Sequence, residues 1–163
     1  MNLLQQNLDR YLTDHDFLRL LGDDDICVLS DFVQNREGIN AFCQKFYGDV
    51  IPHVMISGIN PGRFGAGMTG IPLLDFMSLS QLISGTDRVE LEKSASFIFQ
   101  VVRRLGIETF LRTFYVNNFS SVGYLRNEKN LNYYDLPQAA LAIVEKNFIY
   151  VNECWGSHNY TVD

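Results

Sequence analysis

Gly58-Ile59-Asn60-Pro61-Gly62-Arg63-Phe64-Gly65-Ala66-Gly67-Met68-Thr69-Gly70-Ile71-Pro72 is the stretch around which this chain is organised. Ahead of it runs Val54-Met55-Ile56-Ser57, too short for a helix and closed by glycine and proline, which predicts a buried strand. Five glycines and two prolines within fifteen residues then predict a loop. In such a loop the backbone can approach a ligand where a Cβ would block it. Ligands of open α/β sheets bind just beyond the carboxyl ends of strands, and Asn60 stands at such an end. A plain turn is the competing reading, because Gly and Pro mark turns of every kind. The stretch lacks the Gly-Lys-Ser/Thr ending of a phosphate loop, and Pro61 and Pro72 interrupt any Gly-x-Gly-x-x-Gly helix start.

Working outward, Phe114-Tyr115-Val116 predicts a second strand, which ends in Asn117-Asn118 and then Phe119-Ser120-Ser121. It repeats the first pattern, an apolar run with asparagine at its carboxyl end. Between the strands, Leu73 to Leu82 is apolar without clear period, and Ser84 to Asp87 reads as a break. Glu90 to Leu105 predicts a helix with Ile98, Val101, Val102 and Leu105 inward, closed by Gly106. Strand, helical crossover and strand make a right-handed βαβ unit with parallel strands. If the strands are neighbours, Asn60 and Asn118 face one crevice.

The flanks are less distinctive. Asn2 to Leu21 predicts a helix stopped by Gly22, and Ile26 to Leu29 fits a short strand or an extended loop. Glu37 to Tyr47 predicts a helix with Ile39, Phe42, Cys43 and Phe46 on one face. Gly123 to Asp135 reads as a polar loop. Pro137 to Lys146 predicts another helix, and Phe148 to Val151 a third strand.

At 163 residues the chain reads as a single α/β domain spanning 1–163, large enough for a proper core. Apolar residues at 47% and charged residues at 20% exclude a disordered chain. No run approaches the roughly 18 apolar residues of a membrane helix, so no membrane partner is expected. The start has no basic n-region or cleavage site. Cys27, Cys43 and Cys154 have no metal or redox spacing, which predicts reduced thiols in a cytoplasmic protein. A net charge of −6 argues against a broadly basic nucleic-acid surface. It leaves room for a small groove that grips a few phosphates.

Residues 58–65 together with Thr69-Gly70-Ile71-Pro72 resemble the first motif of the single-strand-selective monofunctional uracil-DNA glycosylases, within the uracil-DNA glycosylase superfamily. The match is closest to a bacterial branch of that group. Val116-Asn117-Asn118-Phe119 is similar to the family's strand-end asparagine segment. Asn130-Leu131-Asn132-Tyr133-Tyr134-Asp135-Leu136-Pro137 resembles the Asn-Leu…Leu-Pro segment that follows it. The resemblance covers about residues 45–140. It implies a three-layer αβα fold with a parallel sheet, and a DNA glycosylase that hydrolyses the N-glycosidic bond of uracil or 5-substituted uracil during base excision repair, with no metal or cofactor. Asn60 is implied to position the attacking water and Asn118 to read the flipped base. Gly62 leaves room at the pyrimidine 5-position, and Phe64, Met68 and Leu73 line the base pocket. Arg63, Arg126 and Lys129 are the candidate DNA contacts.

The residue types suit that chemistry on their own terms. A side-chain amide offers both a donor and an acceptor, so one asparagine can bind O4 and N3–H of uracil. Cytosine presents the opposite pattern and leaves the amide mispaired, which discriminates strongly. An oxocarbenium-like sugar needs only an oriented water, and single-stranded DNA makes it easy to take the base out of the stack.

Two features depart from the family pattern. Leu73 stands where the family commonly has an aromatic residue to stack on the base, and Phe76 is out of register. The His-Pro-Ser loop near the family's C-terminus has no counterpart. His158 is followed by Asn159, and His15 and His53 precede the motif. Residues 147–163 form an atypical tail, so the last strands of the family's sheet are expected to be missing. An exposed last strand would be a sticky edge through which a homodimer could form. Weakened catalysis on single- or double-stranded DNA containing uracil is one reading. A non-catalytic remnant that binds single-stranded nucleic acid or a base weakly is the alternative.

Overall fold

The computed structural model describes residues 2–48, 52–85 and 88–159, so Thr86 and Asp87 of the expected break lie outside the described residues. The N-terminal helix is two helices, α1 (Leu3–Thr13) and α2 (His15–Gly22). Asp14 divides them because its carboxylate accepts from the Phe17 backbone N–H at 2.9 Å and caps the second helix. A two-residue strand β1 (Cys27–Val28) follows, then a 3-10 turn (Asp31–Asn35) and α3 (Arg36–Tyr47). Ile39, Phe42, Cys43 and Phe46 of α3 are all buried, as their spacing on one face requires.

The central pair is β2 (Val54–Gly58) and β3 (Phe114–Asn118), parallel and in register from Val54↔Phe114 to Gly58↔Asn118. Pairing continues past the strands, with Phe119 N–H donating to the Gly58 carbonyl and Ser120 N–H to that of Ile59. Four helices lie in the crossover: α4 (Ala66–Thr69), α5 (Phe76–Leu79), α6 (Lys93–Leu105) and α7 (Ile107–Thr113). The expected βαβ unit is therefore present. The expected burial of β2 is not. Val54 is 45% exposed and Ser57 is exposed, because among the described residues β2 pairs only with β3. Its outer edge has no neighbouring strand, whereas β3 from Tyr115 to Asn118 is buried.

Of the residues expected inward on α6, Val102 is buried and Ile98 packs partly buried against the core, whereas Val101 and Leu105 are exposed. Ala95, Phe99 and Val102 point inward, while Phe97, Val101 and Leu105 are exposed at 64, 37 and 58%. The helix begins at Lys93, so the apolar residues at i and i+4 after Phe97 form a second, solvent-facing stripe. The polar loop after β3 contains a hairpin, β4 (Tyr124–Arg126) and β5 (Lys129–Leu131), with β1 pairing antiparallel to β4. Asn127 and Glu128 turn it with φ of 50° and 60°, the left-handed pair of a two-residue hairpin turn.

The expected third strand at Phe148 to Val151 is helix. Residues Gln138–Asn159 form one continuous helix, α8. Pro137 stands just before it, where its missing N–H costs nothing. No glycine or proline interrupts the run from Gln138 to Trp155, and α8 packs on α1 and α2. There Val144 and Val151 are buried. Under the segment after β3, α1 and α8 supply buried polar groups. Asn7 donates to Ser121 Oγ, Ser120 Oγ and the Tyr124 hydroxyl share a 2.6 Å hydrogen bond, and Arg10 donates to Asn147. The first two bonds hold the chain where it leaves the strand, and the third ties α1 to α8. No helix of the described residues is long and apolar enough to cross a membrane.

Candidate active site

The two strand ends set the site. Asn118 is the last residue of β3 and lies beside Gly58, the last of β2. A Cβ added at Gly58 would sit 2.6 Å from Asn118 Oδ1 and 3.3 Å from Leu73 Cδ2. Glycine is therefore the residue that lets the Asn118 amide lie across the strand end. Asn118 is only 4% exposed, yet its Nδ2 has no hydrogen-bond partner among the described residues. Leaving such a group unpaired in the interior costs about 1–3 kcal/mol. Unpaired buried groups of this kind concentrate where a ligand completes the bonding. Leu73 adopts φ of 65°, a strained conformation for a residue with a Cβ, and it is this turn that brings its side chain to Gly58.

Asn60 follows two residues after β2 and is held by the hairpin. Its Oδ1 accepts from the Tyr133 N–H at 2.9 Å, and its Nδ2 donates to the Leu131 carbonyl at 3.1 Å. Its Nδ2 also donates to the Pro61 carbonyl at 3.4 Å, so both amide hydrogens are engaged, the second at long range, and a lone pair of Oδ1 remains for a ligand or water. The hairpin is bound to the loop at further points. Arg63 N–H donates to Asn130 Oδ1 at 3.3 Å, and Arg63 Nη1 donates to the Glu128 carbonyl at 2.9 Å. The Arg63 guanidinium lies 4.6 Å over the Phe64 ring, and Phe64 is half exposed. Beneath the segment that follows, Phe119 stacks between Tyr133 at 4.3 Å and Phe148 at 4.4 Å.

The structure thus brings Asn60, Asn118 and Leu73 to the ends of one parallel strand pair. The other sequence candidates spread outward. Met68 packs partly buried against the core. Arg126 Nε donates to the Asp24 carbonyl at 3.2 Å, and its guanidinium lies 4.0 Å from the Asp24 carboxylate. Lys129 is exposed on the hairpin, opposite Arg126. Phe76 is buried under the Arg88 guanidinium at 4.3 Å, so it offers no free face to a base. His15 and His53 are exposed, and the His158 side chain lies outside the described residues.

Three contributors escape a reading of the sequence. Gly58 matters for the space above it, and only the register with Asn118 reveals that. Asp75 is wholly buried and accepts from the backbone N–H groups of Ser78 and Glu92, each at 2.8 Å. Its capping half was readable, as an Asp three residues ahead of a serine; its reach to Glu92 was not. Glu92 is half-buried, with its carboxylate against Gly62 and Gly65, and no local pattern announces it.

No protein-family model and no curated protein sequence matches the chain. Among solved structures it is similar to wild-type SMUG2 from Pedobacter heparinus, a uracil-DNA glycosylase-family structure, with a TM-score of 0.66 and 31% sequence identity. The alignment covers 82% of this chain and 61% of that one, so the chain spans under two thirds of its neighbour's length. The fold is uracil-DNA glycosylase-like, an α/β arrangement built on a parallel sheet.

Proposed function

We propose that this chain is a DNA glycosylase that hydrolyses the N-glycosidic bond of uracil, or of a 5-substituted uracil, flipped out of DNA. The observation that carries the reading is the unpartnered Nδ2 of Asn118, 4% exposed at the end of β3. A buried donor that the described residues leave unsatisfied suits a ligand carbonyl, and the same amide offers an acceptor. Together they complement O4 and N3–H of uracil. Asn60, through the lone pair left on its Oδ1, accepts a hydrogen from the attacking water and orients it. The departing base takes up negative charge, so the Asn118 donor strengthens its hold as the bond breaks, which is how a preorganised donor lowers a barrier. Gly62 makes room at the pyrimidine 5-position, Leu73, Phe64 and Met68 wall the base, and Arg63, Arg126 and Lys129 meet the DNA backbone. Base excision repair in the cytoplasm is the setting that this chemistry fits.

The ties of Asn60 to Leu131 and Tyr133 favour a second reading, in which the crevice binds a base or single-stranded nucleic acid without hydrolysis. Incubation of the purified chain with a uracil-containing single-stranded oligonucleotide, then alkali and a gel, separates the two. Strand cleavage that disappears in Asn60→Ala is the expected result. Intact oligonucleotide from folded protein sinks the glycosylase reading. The open edge of β2 also suits pairing with a second copy of the chain, and sedimentation over a concentration series tests it.

A further inference from the structure

We infer that Glu92 is a specificity-determining residue of this pocket, its carboxylate accepting a hydrogen bond from a donor on the pyrimidine 5-substituent and excluding an anionic one. The inference rests on the base-excision reading above and deepens it. Glu92 lies far from the glycine-rich loop in sequence but against it in space. A Cβ added at Gly62 would stand 2.8 Å from Glu92 Oε1, and one at Gly65 would overlap Glu92 Oε2. The carboxylate therefore occupies the space beside Gly65 and borders, at hydrogen-bond distance, the space beside Gly62. The space beside Gly62 is the one assigned above to the 5-substituent.

Glu92 is also held rather than trailing in solvent. Its backbone N–H donates to Asp75 Oδ2 at 2.8 Å. Asp75 is itself wholly buried, and its other oxygen is fixed by the Ser78 N–H. Ser94 Oγ donates to Glu92 Oε1 at 3.0 Å. The neighbouring Arg88 guanidinium is engaged by Glu90, at 2.8 Å from Nη2 and 3.1 Å from Nε to the same oxygen. An ionised carboxylate only accepts hydrogen bonds, and an O–H···O⁻ bond is among the stronger kinds. The site then offers an unpaired donor at Asn118 and an acceptor beside Gly62. A hydroxymethyl group satisfies the acceptor, a plain C5–H leaves it unused, and a carboxyl group brings a second negative charge against it.

The test uses single-stranded oligonucleotides carrying one non-hydrolysable 2′-fluoroarabino nucleotide of uracil, 5-hydroxymethyluracil or 5-carboxyuracil. Each is titrated by fluorescence anisotropy against the full chain, Glu92→Gln and Glu92→Ala, with folding checked by circular dichroism. The expected preference of the unmodified chain for hydroxymethyl over plain uracil is about tenfold, the size of one hydrogen bond to a charged group. Both variants should erase most of that preference and bind the 5-carboxyuracil probe more tightly. A purely structural role would weaken all three probes alike. That outcome, or unchanged ratios, overturns the inference. The gel assay runs alongside with cleavable substrates. Cleavage with unchanged binding ratios removes Glu92 alone, and altered ratios without cleavage remove the glycosylase while Glu92 keeps its role.

Discussion

Replacing Asn118 with alanine separates binding chemistry from fold stability. The Asn118 Nδ2 is buried without a partner among the described residues, a standing cost of about 1–3 kcal/mol. Truncation to alanine removes that cost and forfeits roughly 1 kcal/mol of packing around the lost atoms. The net effect on the folded state lies between about zero and 2 kcal/mol of stabilisation. For a domain of this size, 1 kcal/mol moves Tm by about 2–4 °C, so Tm should hold or rise by a few degrees. Activity should fall by about 10²–10³, the usual loss when one preorganised donor to a developing anion is removed. Differential scanning calorimetry gives the first quantity and single-turnover cleavage the second. A variant that melts several degrees lower would mean that the amide is a structural bond. A variant that cleaves at the parent rate would mean that Asn118 does not read the base. Either result refutes the argument.

Further outcomes follow from the same geometry. Gly58→Ala places a methyl 2.6 Å from Asn118 Oδ1, so the amide must move. Thermal melts should show a loss of about 1–3 kcal/mol, with cleavage falling along with it. Asp75→Ala strips the Ser78 and Glu92 N–H groups of their acceptor. Urea titration should show a cost of about 1–3 kcal/mol for each N–H left buried. Burial pushes the Cys43 thiol and the Tyr11 hydroxyl each up to about 12 and raises Tyr47, Tyr115 and Tyr124 as well. These groups ionise in the unfolded chain first. Stability from them is therefore complete below about pH 9 and drains away as pH rises toward 12, by about 1.4 kcal/mol per pH unit for each tyrosine above pH 10. Melts at pH 8 and pH 10.5, with phenolate absorbance followed through each transition, should show a lower Tm and a rise in phenolate signal on unfolding at the higher pH. An unchanged Tm would contradict the burial of these hydroxyls.

Local chemistry written along the chain was legible from residues alone. The apolar runs at Val54 and Phe114 are strands because each is short, rich in β-branched or aromatic residues and closed by loop formers. The buried face of α3 follows from helical spacing, which needs no partner to be recognised. The placement of Asn60 and Asn118 at the carboxyl ends of two strands follows from the βαβ connection, whose long crossover makes the strands parallel and whose handedness is set by chain chirality.

Tertiary contacts decided the rest, since these features depend on residues far apart in sequence. Phe148 to Val151 has strand-like composition but lies within a helix, because burial against α1 and α2 outweighs a weak local preference. The Asn127-Glu128 turn lacks the glycine that usually marks a two-residue hairpin, and pairing with β1 and the bonds to Arg63 and Asn60 hold it in place. Whether β2 was central or an edge depended on which strands flank it, a fact of assembly rather than of its own residues. The need for glycine at position 58, the unpaired amide of Asn118 and the approach of Glu92 to Gly62 each appear only when separate segments meet. Residue order alone was enough to mark the two parallel strands, the buried face of α3 and the side chains capable of amide chemistry. Which of those groups are buried, paired or left open came from packing, because burial and hydrogen-bond satisfaction belong to the folded chain as a whole.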